Sequence, residues 1–229
     1  MQKLFNKKTA AFGFYAAAVI LIAIYITADL LPNFLLSTAA RLVLLCGGCL
    51  LLWAGGFLLA KSSGNNRPMK VNLWIFLVLY LALFLTLTLF DPMWGRNGGF
   101  GIVWTEELFD AYINNSLNLV PFRTIAAYLS SADFKTALIN LGGNFVCLMP
   151  LGVLLPLISE KQNRAGVFLI TCAAAVAAVE LLQFATLAGS CDIDDLILNV
   201  GGAFAVFCIV KIKKVNEILR YIFLLEKGV

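Results

Sequence analysis

Six apolar runs, each long enough to cross a lipid bilayer, constrain the fold of this 229-residue chain more than any other feature. They cover residues 10–31, 36–60, 71–90, 136–158, 166–187 and 193–212, approximately. A spanning helix needs about 20 mostly apolar residues, whereas strands of a membrane β-barrel alternate apolar and polar side chains. The sequence therefore predicts an all-α, polytopic transmembrane helical bundle of about six spans, with residues 1–229 forming a single membrane domain.

The distribution of basic residues predicts how these spans are oriented. If the N-terminus is cytoplasmic, all but four of the 17 basic residues lie in inner segments, as the positive-inside rule requires. Both termini are then cytoplasmic, residues 213–229 form an amphipathic cytoplasmic tail, and residues 91–135 form a long outer segment with a flexible Gly95–Gly101 stretch. We expect a multi-pass protein of a bacterial plasma membrane, with the lipid bilayer as a partner and no nucleic-acid partner. The four outer cations are Arg41, Arg96, Arg123 and Lys135.

Polar residues of the last three predicted spans are expected to converge near the outer ends of these helices. Residues three or four positions apart share one face of a helix. Ionisable groups at membrane depth cost about 2.5–3.5 kcal/mol each on insertion scales, so they are functional candidates by default. The converging residues are Asn140 and Asn144 of the fourth span, Glu180 and Gln183 of the fifth, and Asp192, Asp195 and Asn199 on one stripe of the sixth, with Asp194 turned toward the outer loop.

Glu180 is the hardest of these residues to explain by structure alone. It lies about two turns inside its predicted helix, between Val179 and Leu181, and therefore needs a partner. Arg123 of the outer segment is the nearest expected cation, and Lys135 is the second.

Structural and chemical uses of the other polar residues both remain open. Asp192 could simply cap the N-terminus of the sixth span, and Asn140 and Asn144 could hydrogen-bond between helices. Alternatively, Glu180, Asp192 and Asp195 are catalytic or metal-ligand candidates, because Mg²⁺ and Ca²⁺ take oxygen ligands, or one carboxylate could act as general acid or base. The chain has six cysteines but no histidine, and the pattern predicts no zinc site.

Four sequence blocks, taken together and in order, resemble the VanZ-like family of bacterial membrane proteins. The resemblance covers residues 115–205, approximately, whereas residues 1–110 carry no comparable signature. One departure is that Leu187–Ser190 lacks the arginine that many relatives carry before the aspartates. The blocks are Asn118–Arg123, Asn140–Asn144 continuing to Pro150–Gly152, Glu180–Gln183, and Cys191–Asp195 followed by Asn199, Gly201 and Gly202.

The resemblance implies a role in the cell envelope and no established catalytic activity. The member that names the family is associated with low-level teicoplanin resistance, so the implied ligand is a lipoglycopeptide or a lipid-linked cell-wall precursor at the outer leaflet. The alternatives are a metal-assisted enzyme acting on a lipid-linked head group, or a structural or transport protein. The implied ligand-binding residues are Asn118, Arg123, Asn140, Asn144, Glu180, Gln183, Asp192, Asp194, Asp195 and Asn199.

Overall fold

The structure, a computed structural model, describes residues 2–30, 36–89, 105–187 and 189–225. Within those residues, six helices are long and apolar enough to cross a membrane, which confirms the predicted all-α polytopic fold. The predicted Gly95–Gly101 stretch and Arg96 lie outside the described residues. The six candidate spans are Lys7–Thr27, Ala39–Ser63, Arg67–Leu89, Phe134–Ile158, Ala165–Thr186 and Ile193–Lys211.

The described elements follow one another as helices with a single pair of very short strands. Two compact units are formed, one by Met1–Leu79 with Lys214–Val229 and the other by Tyr80–Lys213. The elements are α1 (Gln2–Leu30), α2 (Thr38–Ser63), α3 (Arg67–Leu89), α4 (Glu106–Asn115), β1 (Leu117–Asn118), α5 (Arg123–Leu129), α6 (Phe134–Cys147), α7 (Met149–Ile158), a 3-10 turn (Glu160–Asn163), α8 (Ala165–Thr186), β2 (Cys191–Asp192), α9 (Ile193–Lys211) and α10 (Lys213–Ile222).

In the first unit, a buried asparagine joins three helices. Asn72 of α3 is fully buried, and its Nδ2 donates to the carbonyl oxygen of Leu52 in α2 at 2.5 Å. Its Oδ1 accepts from the hydroxyl of Tyr15 in α1 at 3.2 Å. Gly56 makes room for this amide, because a Cβ there would lie 2.2 Å from Asn72 Nδ2. Both ends of the buried amide are therefore satisfied, as a polar group in an apolar interior requires.

The amphipathic tail predicted from the sequence forms α10, the last described helix. Its apolar side chains include Ile218 and Tyr221, both of which are exposed, and Arg220 lies in its last turn. The indole Nε1 of Trp53 donates to the carbonyl oxygen of Ile222 at 3.2 Å. This bond holds the C-terminal end of α10 against α2 within the first unit.

In the second unit, the fourth span is divided into α6 and α7 at Leu148. Pro150 lies in the first turn of α7, where its missing N–H is tolerated. The Leu151 N–H donates to the Leu148 carbonyl at 3.0 Å, so it no longer serves the carbonyl of Cys147. The hydroxyl of Tyr80 donates to that Cys147 carbonyl instead. The fourth span is thus interrupted at Leu148, and a tyrosine satisfies the carbonyl that the interruption releases.

Two glycines allow α9 to pack closely against α6 and α7. A Cβ on Gly202 would lie 1.7 Å from the carbonyl oxygen of Phe145, and a Cβ on Gly152 would lie 2.5 Å from that of Ala203. Both contacts are with backbone, which cannot move aside as a flexible side chain can. Small residues at such crossings let helix backbones approach closely inside a membrane. The neighbouring Gly201 has no such restriction, since a Cβ there would lie 3.9 Å from its nearest neighbour, the Cε2 atom of Phe145.

We expect Gly202→Ala to destabilise the protein because the added methyl group would force α9 away from Phe145. Overpacking costs roughly 1–3 kcal/mol, or roughly 2–12 °C in Tm for a chain of this size. Thermal unfolding of the detergent-solubilised protein, with the amount of protein in the membrane, measures the effect. Gly201→Ala is the matched control and should stay within about 0.5 kcal/mol of wild type. Equal Tm values for the two variants would contradict the close approach of α9 and α6.

Candidate functional site

The segment between α4 and α5 is tied to the turn between α8 and α9 by a two-stranded parallel pair. Leu117 of β1 pairs with Cys191 of β2, and Asn118 pairs with Asp192. The Cys191 N–H also donates to the carbonyl oxygen of Ser116 at 2.9 Å. Parallel strands need a long connection between them, and here the connection contains α5, α6, α7 and α8. The pairing brings two separate blocks of predicted site residues together.

Asp194 is fully buried and holds the start of α5 through backbone hydrogen bonds. Its Oδ1 accepts from the N–H of Phe122 at 2.5 Å, and its Oδ2 accepts from the N–H groups of Thr124 and Ile125 at 2.8 and 3.0 Å. The first N–H groups of a helix have no partner within the helix, and Phe122 supplies no side-chain cap to α5. The carboxylate of Asp194 therefore caps α5 from outside, where its charge also suits the helix dipole.

Asp192 completes this arrangement from the start of α9. Its Oδ1 accepts from the Asp194 N–H at 2.8 Å, which confirms the predicted N-cap, and from Asn118 Nδ2 at 2.8 Å. Its Oδ2 accepts from Thr124 Oγ1 at 2.6 Å, and Asn118 Nδ2 also lies 3.0 Å from that hydroxyl. We call Asn118, Thr124, Asp192 and Asp194 the aspartate clasp. All four carboxylate oxygens of the clasp accept hydrogen bonds from the protein itself.

A small pocket lies beside the clasp, between α3, α6, α8 and α9 of the second unit. Its volume is about 20 Å³, which is room for one group the size of a water molecule. Five of its polar lining residues were expected from the sequence to converge, and the structure brings those five together. The lining residues are Phe84, Thr88, Asn144, Cys147, Val176, Val179, Glu180, Gln183, Asp195 and Asn199.

The polar groups of the pocket are connected to one another and to the clasp. Glu180 Oε2 accepts from the backbone N–H of Asp192 at 3.0 Å, so the buried carboxylate of α8 supports the clasp directly. Asn144 Nδ2 donates to Asp195 Oδ1. Gln183 Nε2 donates to the carbonyl oxygen of Thr88 at 3.0 Å. The side-chain amide of Asn144 thus joins α6 to α9, and that of Gln183 joins α8 to α3, around the pocket.

Asn199 has a buried acceptor that the protein does not use. Only 6% of this residue is exposed, and its Nδ2 donates to the carbonyl oxygen of Asp195 at 2.8 Å. Its Oδ1 has no hydrogen-bond partner among the residues that the structure describes. If the oxygen and nitrogen of this amide were exchanged, the oxygen would face the Asp195 carbonyl oxygen and the hydrogen bond would be lost. The hydrogen bond therefore favours the orientation in which Oδ1 is the atom without a partner.

Three predicted site residues lie elsewhere than expected, and Asp192 is the first. It was predicted to share a helical stripe with Asp195 and Asn199, but it precedes α9 in an extended conformation with φ −128° and ψ 122°. The helical spacing therefore does not apply to it, and its side chain joins the clasp rather than the pocket. Asn140 also stays outside the pocket lining, and its Nδ2 donates to the carbonyl of Thr136 within α6 at 2.9 Å.

The expected pairing of Arg123 with Glu180 is wrong. Arg123 is the first residue of α5, whose N-terminal N–H groups are turned toward Asp194, and its side chain is exposed. It forms no ion pair with any residue in the described part of the chain. Lys135 is exposed as well. Glu180 instead meets its need for a donor with the backbone of Asp192.

The expected Mg²⁺ or Ca²⁺ ligands are not assembled into a metal site. Within residues 2–30, 36–89, 105–187 and 189–225, no group of three or more His, Cys, Asp or Glu side chains is placed to hold a metal ion. Both oxygens of Asp192 face N–H or O–H donors, whose hydrogens would repel a cation. The chemistry of the donor set therefore does not fit a site made of Glu180, Asp192 and Asp195.

Sequence reasoning missed two functional neighbours, Thr124 and Cys191. Thr124 directly follows the Asn118–Arg123 block, and its hydroxyl beside that block could have marked it as a site residue in the sequence. The half-buried Cys191 thiol donates to Glu180. Burial raises the pKa of Cys191, and the Glu180 carboxylate, with weaker contributions from Asp192 and Asp195, raises it further. Each of these effects disfavours the thiolate.

Comparison with known proteins gives one match. A family model described as VanZ/LLP1 matches residues 74–214, which is more than half of the chain and includes the clasp and the pocket. No curated protein and no solved structure matches the chain.

We expect Asp194→Asn to release the start of α5, because the amide would present N–H groups to backbone N–H donors. Hydrogen bonds to a buried charge contribute about 1.5–3 kcal/mol each, so a loss of roughly 2–4 kcal/mol of stability is expected. Thermal unfolding measures the loss, and limited proteolysis of residues 119–125 should become faster. Asp133→Asn is the matched control, because Asp133 is an exposed N-cap of α6 and asparagine caps equally well. Unchanged proteolysis of Asp194→Asn would contradict the capping role.

We consider a variant in which Cys191 is the one remaining cysteine. Its reaction with iodoacetamide should need a higher pH than the reaction of an ordinary cysteine thiol does. The reacting species is the thiolate, and Cys191 has a raised pKa. Glu180→Gln removes a negative charge, so the Cys191 pKa should fall and alkylation at a fixed alkaline pH should become faster. The midpoint of the rate against pH measures the shift. Asp110→Asn, an exposed carboxylate on α4, should leave the midpoint in place.

Proposed function

The chain belongs to the VanZ/LLP1 family, and on that basis we propose that it is a multi-pass protein of the bacterial plasma membrane that binds a glycopeptide of the teicoplanin type or a lipid-linked cell-wall precursor. One small polar group of this ligand binds in the pocket between α6, α8 and α9, which has room for a single group of that size. Binding there changes how the drug reaches its target in the cell envelope.

The observation that carries this proposal is the pocket itself. Glu180 and Asp195 bring two carboxylates into a bundle of membrane-spanning helices, where each ionisable group is costly and is a functional candidate. The clasp accounts for Asp192 and Asp194 as structural groups, because all their carboxylate oxygens are used within the protein. The clasp does not account for the buried Asn199 Oδ1, which has no hydrogen-bond partner among the described residues. This oxygen is the atom that a ligand could bind.

The predicted orientation supports a ligand from the outer leaflet. With the N-terminus inside, α8 runs outward and α9 runs inward, so the turn that contains β2 faces out. The pocket lies near that turn, because Glu180 reaches Asp192 at the start of α9. Lipoglycopeptides, their targets and lipid-linked sugars all work at this surface. The exposed Arg123 lies on the same side and offers a cation to an anionic head group.

A metal-assisted enzyme is the weaker alternative. It requires carboxylate oxygens that are free to bind a cation, and Asp192 has both of its oxygens engaged by Asn118, Thr124 and the Asp194 N–H. The ligand-binding proposal needs no such rearrangement.

Teicoplanin and vancomycin susceptibility of a deletion strain tests the proposal. Complementation with wild type should restore a difference in teicoplanin susceptibility, and Glu180→Gln and Asp195→Asn should fail to do so at equal membrane levels. Each substitution keeps the side-chain shape but removes a pocket charge, so a loss of function would point to the ligand site.

Asp110→Asn is the matched control, because it makes the same chemical change on the exposed face of α4. It should complement as wild type does. If all strains behave alike at equal expression, the resistance proposal is wrong. If the pocket variants complement fully while the deletion does not, the protein acts through another surface.

A further inference from the structure

We propose that the pocket binds a primary ammonium group, which donates its N–H bonds to Asn199 Oδ1 and to the carboxylates of Glu180 and Asp195. This inference names the ligand chemistry of the site and rests on the proposed function only in using the same pocket. The juxtaposition that carries it is a buried amide oxygen, without a partner among the described residues, beside two carboxylates in a cavity the size of one water molecule.

The leftover hydrogen-bonding capacity of the pocket is that of an acceptor. The amides of Asn144 and Gln183 already donate, to Asp195 Oδ1 and to the Thr88 carbonyl. Asn199 has its Nδ2 fixed on the Asp195 carbonyl, and its Oδ1 is more than nine-tenths buried and unused within the described residues. A buried acceptor left without a donor costs roughly as much as a lost hydrogen bond. An occupant that donates hydrogen bonds removes this cost.

The charge of the lining selects a cationic donor over a neutral one. Glu180 and Asp195 both line the pocket, and none of the lining residues is basic. An ionised carboxylate has about four lone-pair positions and can accept several hydrogen bonds at once. Asn199, Glu180 and Asp195 therefore offer acceptors from two helices to the three N–H groups of an ammonium.

The size of the pocket excludes larger cations. Its volume of about 20 Å³ exceeds the 10–15 Å³ or so that one water needs, so it has room for one group of about that size, such as –NH₃⁺. A hydrated magnesium ion keeps several waters, and a quaternary ammonium carries four carbon substituents and no N–H donor. Both are too large for this cavity. A primary amine fits with its nitrogen inside and its carbon chain directed to the mouth.

Two sources of such an amine exist at a membrane surface, and they share this chemistry. One is the amine of a soluble or peptide ligand, and the other is the ammonium head group of an aminophospholipid such as phosphatidylethanolamine. Phosphatidylcholine carries a quaternary ammonium without N–H groups and therefore provides the matched comparison for lipids.

The experiment is a thermal unfolding titration of the full-length protein in detergent with methylammonium chloride. Sodium chloride and tetramethylammonium chloride serve as controls for ionic strength and size. A saturable rise in Tm with methylammonium alone is expected. Asn199→Leu should weaken the apparent affinity about tenfold, which corresponds to the loss of one hydrogen bond. Asn115→Leu is the matched control, because Asn115 also donates to its own helix four residues back but lies outside the pocket lining. It should leave the affinity unchanged.

Because Asn199→Leu changes the side-chain shape as well as removing the acceptor, Glu180→Gln is titrated as a second variant that keeps the side-chain shape. An equal rise in Tm with all three salts, or the absence of any rise, would show a site that holds water only and would overturn the proposal. Equal affinity in wild type and both pocket variants would overturn it too.

A second arm compares the Tm in nanodiscs of phosphatidylethanolamine and of phosphatidylcholine. If phosphatidylethanolamine raises the Tm and Asn199→Leu abolishes the rise, the lipid is the source of the amine. If methylammonium binds but phosphatidylethanolamine does not raise the Tm, the source is a soluble amine. Susceptibility to teicoplanin is measured separately. If the protein binds the amine but does not change susceptibility, the proposed function is refuted and this inference stands. If the protein changes susceptibility but does not bind the amine, only this inference is refuted.

Discussion

The organisation of the second unit depends on one buried carboxylate, that of Asp194, and on the three backbone N–H groups that it accepts. Without it, α5 would begin with unsatisfied donors, and the segment before α6 would lose three of its hydrogen bonds to α9. Asp192 fixes the same segment through side chains and also caps α9. Glu180 then bonds the backbone of Asp192. The shape of the pocket therefore follows from a network that starts outside it.

This dependence separates the acidic residues of one short block into two kinds. Asp192 and Asp194 are held by donors on every oxygen, and replacing them changes structure first. Asp195 and Glu180 line the pocket, together with Asn199, whose Oδ1 has no partner in the part of the chain that the structure describes. Three aspartates within four residues thus have different surroundings because the chain changes from an extended conformation to a helix at Ile193. Local backbone conformation, rather than residue type, decides which carboxylate lines the pocket.

The parts of this structure that follow from periodicity and local capping could be predicted from the sequence. Six spans are evident because each must bury about 20 apolar residues, and Asp192 is recognisable as an N-cap. The β1–β2 pair could not be predicted, because two residues are too few to show a strand period. The partners of Asp194 could not be predicted either, since they are backbone N–H groups, which every residue but proline carries. Arg123 was misplaced because its direction depends on α5, whose position depends on Asp194.

The order in which the clasp forms during synthesis follows from its sequence separations. Asp192 and Asp194 bond residues 68 to 74 positions earlier in the chain. At about 5–20 residues per second, roughly 4 to 14 s pass between synthesis of the two sides. During that interval the start of α5 has no cap and α6, α7 and α8 have no α9 to pack against. The clasp closes only when the sixth span has arrived, so its closure marks a completely inserted chain, and a truncated or misinserted chain would leave this segment open to membrane proteases.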